Sequence, residues 1–297
     1  MVVTVQYQVE LKKPHPAQVD CVFSYIPLPT YFQSAVAGSE PCASLRELFI
    51  SLVCVGTPSL EDGGIELTYI KSVCREIAHH LITNNELVGY IALEENVKRS
   101  IRGLVSIGLN APIHNPEVRK KIPEDKIVSE WSKIKDKVFF YDHFGSSDSD
   151  DLLNRIRYMV LALNCRYVFL DHISIVISGL SDGDERRLID NTMTRLRKLV
   201  EELKIALIVV SHLRRVEGKT SHEEGHQTSL AHLRGSHALA QLSDTVIGFE
   251  RNQQSETEHN VMYARVLKNR WLGDTGVAST LIYNPETGRL TEGEFDE

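Results

Sequence analysis

Apolar residues fall along the chain in short continuous runs separated by charged, helix-period stretches. Tyr69 to Ile82 has Ile70, Val73, Ile77 and Leu81 on one face, a 3.6-residue spacing that predicts a helix. Leu87 to Leu93, Val138 to Asp142, Ile205 to Ser211 and Thr245 to Glu250 are compact apolar runs that read as buried strands. Tyr167 to Leu170 is another, and it runs straight into Asp171. Between these lie helix-like segments: Asn96 to Leu104, one or two helices within residues 110 to 136, Leu152 to Leu163, and the long Glu185 to Lys204. A short helix is expected within Leu233 to Asp244. After residue 250 the pattern changes. Val261 to Leu267 alternates and reads as a strand, with another at Ala278 to Tyr283. The alternation of strands and helices predicts an α/β domain with a mostly parallel sheet.

Residues 1 to 75 follow no such rhythm. Their one sustained apolar stretch, Leu48 to Val55, fits a strand or a short helix, and Gly56-Thr-Pro-Ser and Glu61-Asp-Gly-Gly read as turns. The division expected is a divergent N-terminal segment (1–75), a core (76–291) and an acidic tail (292–297).

Three predicted strands end in chemistry. The Leu87 run ends in Glu94-Glu95, the Tyr167 run in Asp171, and the Ile205 run in Ser211-His212. Open α/β sheets bind ligands at the C-terminal ends of their strands. In nucleotide hydrolases an acid at such an end holds Mg²⁺, and a second carboxylate polarises water. A polar pair such as Ser211-His212 at the same edge can sense a γ-phosphate. Each of these also fits an ordinary strand-terminating polar residue.

The glycine-rich G-x-x-x-x-G-K-[ST] loop that would cradle phosphates is missing. Ile70-Lys71-Ser72 is the nearest remnant, with Ile where Gly is needed. On pattern alone Lys71 reads as an exposed helix lysine, and as a phosphate ligand only secondarily.

The 297-residue chain carries a net charge of −7, which excludes a broadly basic DNA-coating surface. It leaves room for a local basic loop, and Arg214 to His226 supplies one with Arg214, Arg215 and Lys219. The five cysteines are odd in number and lack any C-x-x-C pair, which argues against a disulfide framework or a zinc ribbon. No apolar run has the length of a membrane span, and the N-terminus reads as neither a signal nor a transit peptide. His222-Glu-Glu-Gly-His226, with His232, nearly matches a zinc-protease signature. Gly225 weakens the helix that signature requires, and Ser229 stands where it needs glycine.

Several ordered stretches carry a more specific likeness. They are Ala92-Leu-Glu-Glu95, Leu170-Asp-His-Ile-Ser-Ile-Val176, Asp184-Glu-Arg186, Val210-Ser-His-Leu213 and His222-Glu-Glu-Gly225. Leu233-Arg-Gly-Ser236, Gln241-Leu-Ser-Asp-Thr245, Glu250-Arg-Asn-Gln-Gln254, Lys268-Asn-Arg270 and Gly273-Asp-Thr-Gly276 continue the series. From about residue 76 to 291 the chain resembles the RecA-like domain of hexameric replicative DNA helicases. The type is that of the phage primase–helicase and mitochondrial Twinkle, within the DnaB class.

The resemblance implies a RecA-like sheet flanked by helices, with antiparallel strands at its C-terminal edge. It implies ATP or another nucleoside triphosphate with Mg²⁺ as cofactors. Its partners would be single-stranded DNA, a homo-oligomeric ring of hexameric type, and replication proteins such as polymerase or primase. Glu94 would be the catalytic base, Asp171 the Mg²⁺ acid and His212 the γ-phosphate sensor. Lys71 and Ser72 fall where nucleotide is held. Arg270, with Lys268 beside it, matches an arginine finger that acts on the neighbouring subunit's nucleotide. Arg214, Arg215, Lys219 and Gln241 would face DNA. The departures are the phosphate loop and the primase half, neither of which these residues contain.

Overall fold

The computed structural model describes residues 50–55, 68–141, 149–173, 175, 182–214, 221–222, 224–233 and 237–293. The apolar runs become strands β1 (Ile50–Val55), β2 (Val88–Ala92), β3 (Val138–Tyr141), β4 (Tyr167–Asp171), β5 (Ala206–His212) and β6 (Thr245–Glu250). Three more follow: β7 (Val261–Asn269), β8 (Gly276–Asn284) and β9 (Arg289–Glu292). The helices are α1 (Thr68–Thr83), α2 (Val97–Leu109), α3 (Pro116–Lys120), α4 (Glu124–Ile134), α5 (Ser149–Leu161), α6 (Asp182–Leu203) and α7 (His237–Leu242).

Among the described residues the nine strands form one sheet in the order β3-β2-β4-β5-β1-β6-β7-β8-β9. From β3 to β6 every pairing is parallel. The pairs from β6 to β9 are antiparallel. This is the expected RecA-like arrangement, with the short β9 added. Ile50–Val55 resolves as a strand, and it sits between β5 and β6 in the middle of the sheet. The expected boundary after residue 75 falls inside α1.

The uninterrupted apolar strands follow from burial on both faces. Tyr167 and Phe169 of β4 pack with Val73, Ile77 and Leu81 of α1 and Leu104 of α2. Their neighbours Val168 and Leu170 point the other way, into Ile156 of α5 and Met193 and Leu196 of α6. Because strand side chains alternate, a strand covered on both faces must be apolar at every position. Each such side chain stabilises the fold by about 1.5–3 kcal/mol.

Caps set the helix ends. Asn96 accepts the Arg99 N–H at 2.9 Å to start α2, and Asn110, at φ 52°, ends it in the left-handed conformation. Asn115 accepts from Glu117 N–H ahead of Pro116 at the start of α3. Glu76 on α1 receives two bonds from Arg289 of β9, at 2.6 and 2.9 Å, tying the last strand to the first helix.

Candidate active site

The sheet register brings the strand-end residues to one edge. Ala92 of β2 lies beside Asp171 of β4, and Val55 of β1 lies beside His212 of β5. The chain leaves β2 through Leu93, whose N–H bonds the Asp171 carbonyl at 2.6 Å, and Glu94 follows immediately.

Glu94 Oε1 lies 2.6 Å from His172 Nε2. The His172 ring in turn packs on His212, with centroids 3.9 Å apart. Lys71 Nζ approaches Glu94 Oε2 at 3.5 Å and Glu95 Oε2 at 4.0 Å. Lys71 is therefore not the exposed helix lysine that pattern alone suggests. It is buried, in the first turns of α1, against the strand-end acids. Ser72 beside it is also buried. Residues 56 to 67, where a phosphate loop would fall, lie outside the described residues.

The two strand-end acids titrate in opposite directions. Burial pushes the Asp171 carboxyl above its ordinary value, and Lys71 and His172 offset this only in part. Burial acts on Glu94 the same way. There the hydrogen bond and charge of His172, with Lys71 and His212, outweigh it and hold the carboxyl below the ordinary range. Asp171 Oδ2 is buried with no hydrogen-bond partner among the described residues.

Behind this group, Glu95 points into the core. Arg75 Nη2 bonds both its oxygens at 2.8 Å, and Ser100 Oγ donates to it at 2.6 Å. The close seat of Arg75 explains Gly103 on α2, where a Cβ would come within 2.3 Å of the guanidinium.

Lys268 and Arg270 are not part of this group. Lys268 pairs with Val246 near the start of β6, whereas His212 is level with Phe249 near its end. Three strand spacings and three residues of rise separate them, about 17 Å. There Lys268 Nζ donates to the carbonyls of Ala240, Gln241 and Ser243 at 2.6, 3.2 and 2.7 Å. Burial and the nearby Arg270 charge lower its pKa. Arg270 Nη2 donates to Gln241 O at 2.6 Å, and its Nη1 lies 3.1 Å from Asp244 Oδ1. Buried Asp244 also pairs with Arg197 of α6.

Arg214 follows β5, its N–H bonded to His232 O at 2.8 Å. Arg215 and Lys219 lie outside the described residues. His222, His226 and His232 share no helix, yet their rings cluster with centroids 5.1–5.6 Å apart. Thr228, in the same loop, bonds Glu250 through both N–H and Oγ1 at 2.7 Å, fixing it to the end of β6.

Sequence reasoning assigned no role to His172, Arg75, Glu95 or Asp244. His172 carried a signal, since it directly follows the strand-end Asp171. The salt bridge between Arg75 and Glu95 had none, because the two residues lie far apart in sequence and nothing local marks the contact.

The parallel sheet that presents these residues at one edge, with antiparallel strands beyond it, has the RecA-like fold. Residues 70–292 match the model of the DnaB-like helicase C-terminal domain, and the chain belongs to that family. It is 42% identical over 214 residues to the DNA helicase/primase of Enterobacteria phage T3, covering 70% of this chain and 37% of the phage protein. The chain thus spans little more than a third of that relative. Among solved structures, a DnaB-like replicative helicase, described together with its interactions with primase, superposes with a TM-score of 0.65 at 19% identity. The match covers 84% of this chain and 59% of that one. A short match of another kind, 53% identical over 38 residues, is to GDP-mannose 6-dehydrogenase of Pseudomonas savastanoi. It covers 13% of this chain and 9% of that enzyme, too little to define a family.

Proposed function

We propose that this chain is the motor domain of a replicative DNA helicase that hydrolyses ATP in a ring and moves along single-stranded DNA. One observation carries the reading: Lys71, Glu94, Asp171 and His212 meet at the ligand edge of the sheet while Arg270 stands at the far edge. In this reading Asp171 and Ser72 hold Mg²⁺, and the unpartnered buried oxygen of Asp171 fits a hard cation. The ion, when bound, neutralises phosphate charge. Glu94, kept ionised by its neighbours, orients and deprotonates the attacking water. His212 meets the γ-phosphate.

Arg270 is too far away to serve its own site, which suits action across a subunit boundary. A hexameric ring supplies that boundary, and only its inner loops (Arg214, Arg215, Lys219) need be basic. Gln241, the residue expected to face DNA, gives its carbonyl to both Lys268 and Arg270. A shift at the DNA would thereby reach the arginine finger. Primase or polymerase would be further partners of the ring.

The deciding measurement is ATP hydrolysis by the purified chain with and without single-stranded DNA, with Asp171→Asn as control. DNA-stimulated turnover absent from the control is the expected result. A folded chain that neither binds nor hydrolyses nucleotide supports a second reading, a ring-joining paralogue without turnover. Ile70, where the phosphate loop needs glycine, favours that alternative. A further prediction concerns the finger. Arg270→Ala and Asp171→Asn chains, each inactive alone, should regain part of the wild-type turnover when mixed. Mixed rings shown by cross-linking yet still inactive would remove Arg270 from the neighbouring site.

A further inference from the structure

Glu94, His172 and His212 each offer a ligand atom, and these atoms lie within 4.8 Å of one another. We propose that this group is a second cation site, separate from the Mg²⁺ position at Asp171, that takes one borderline transition-metal ion such as Zn²⁺. Filling it removes Glu94 from catalysis.

The donor set selects the metal class. Two imidazoles and one carboxylate suit Zn²⁺ or Co²⁺, whereas Mg²⁺ demands oxygen ligands and keeps its waters. The donors are already gathered. Glu94 Oε1 and His172 Nε2 are at hydrogen-bond distance, and the two imidazole rings are in contact. An ion entering here replaces the proton that Glu94 and His172 share. Both histidines are buried, His212 at the end of β5 and His172 directly after β4, so little ordering accompanies binding. His172 Nδ1 is buried without a hydrogen-bond partner among the described residues, so the ring can be re-aimed without breaking another bond. Glu94 is only partly buried, so this side of the group is reached by solvent. Three protein ligands and an open position match a site that water or a phosphate oxygen completes.

The metal-binding half stands apart from the helicase reading, and the inhibitory half rests on it. The test is a titration of the purified chain, without nucleotide, with Co²⁺ followed by its visible absorption. Zn²⁺ is then added in competition, and metal analysis is run after dialysis. One equivalent with tetrahedral-type absorption is expected. Affinity should fall at least about tenfold in Glu94→Gln and in His172→Gln, each checked for fold by its thermal melt. Asp171→Asn should still bind. Absence of stoichiometric binding overturns the site. So does binding that survives Glu94→Gln and His172→Gln but is lost in His226→Asn/His232→Asn, which would put the metal in the loop cluster. Where the chain turns over ATP, an equivalent of bound Zn²⁺ should stop it, and undisturbed turnover overturns the inhibitory half. Zn²⁺ binding as stated by a chain that never hydrolyses ATP upholds the site and fails the helicase reading instead.

Discussion

Asp171→Asn is expected to end ATP hydrolysis and, at neutral pH, to raise the melting temperature. The first effect follows from the proposed role. Without the carboxylate the cation at the phosphates loses its fixed anionic ligand, and turnover should fall by at least about 10²-fold. The second follows from burial. Asp171 is fully enclosed, and desolvation lifts its carboxyl above the ordinary value despite Lys71 and His172. A group whose folded pKa is raised gives stability that is complete below its unfolded pKa and is lost as pH rises through the folded one. Above the ordinary carboxylate range the wild-type carboxyl therefore costs folding stability, a cost that asparagine does not carry. The variant's advantage should shrink as pH falls towards the ordinary carboxylate range. Thermal melts at pH 7 and pH 4.5 read this directly. Equal melting temperatures at pH 7, or an advantage that grows on acidification, would contradict the burial argument. Retained hydrolysis would contradict the Mg²⁺ role. Both effects together would express a familiar exchange, stability given up where function needs a buried charge.

Arg75→Ala should be the most destabilising single change in the α1–α2 layer. Glu95 is almost wholly enclosed, and Arg75 supplies its counter-charge through one nitrogen held 2.8 Å from each oxygen. Burial drives the Glu95 carboxyl up, but Arg75 more than offsets it, with Ser100 adding to the effect, so the group stays ionised below the ordinary range. Removing Arg75 leaves that charge buried with only the Ser100 hydrogen bond and the looser cations Arg99 and Lys71, 3.7 and 4.0 Å away. Losses of this kind run to about 3–5 kcal/mol, which for a domain of this size is roughly 6–20 °C in melting temperature. Glu95→Gln together with Arg75→Met removes both charges and should recover most of the loss. A double variant as unstable as Arg75→Ala would mean that packing, rather than the uncompensated charge, dominates. The acid limb has the opposite sign to that of Asp171. The stability Glu95 contributes is present above the ordinary carboxylate value and is lost as pH falls through its lowered one.

The strands that carry the site were legible because a buried parallel strand has few ways to be written. Tyr167 to Leu170 had to be apolar on both faces, and Asp171 marked where that strand ends. The same logic located the ends of β2 and β5. The placement of Ile50–Val55 was not legible. A short apolar run reads alike as strand or helix until its partners are known, and both partners are distant in sequence. Lys71 was misread for a related reason. Its exposure depends on which face of α1 meets the strand-end acids, which periodicity does not determine. Arg289-Leu-Thr-Glu292 escaped notice because so short a segment with a single buried position gives too little alternation to count.

The central place of β1 bears on how the chain comes to be folded. A strand between two parallel neighbours has both rows of backbone donors and acceptors to fill. The neighbours of β1 begin at Ala206 and Thr245, far downstream of it in the chain. Until β6 leaves the ribosome, the apolar stretch Ile50–Val55 has at least one edge unpaired, an open template for another chain. The sheet can close only after the chain has been made as far as β6, and pairing over such separations is slow. A newly made chain therefore passes through a long interval in which β1 must be kept from the wrong neighbour.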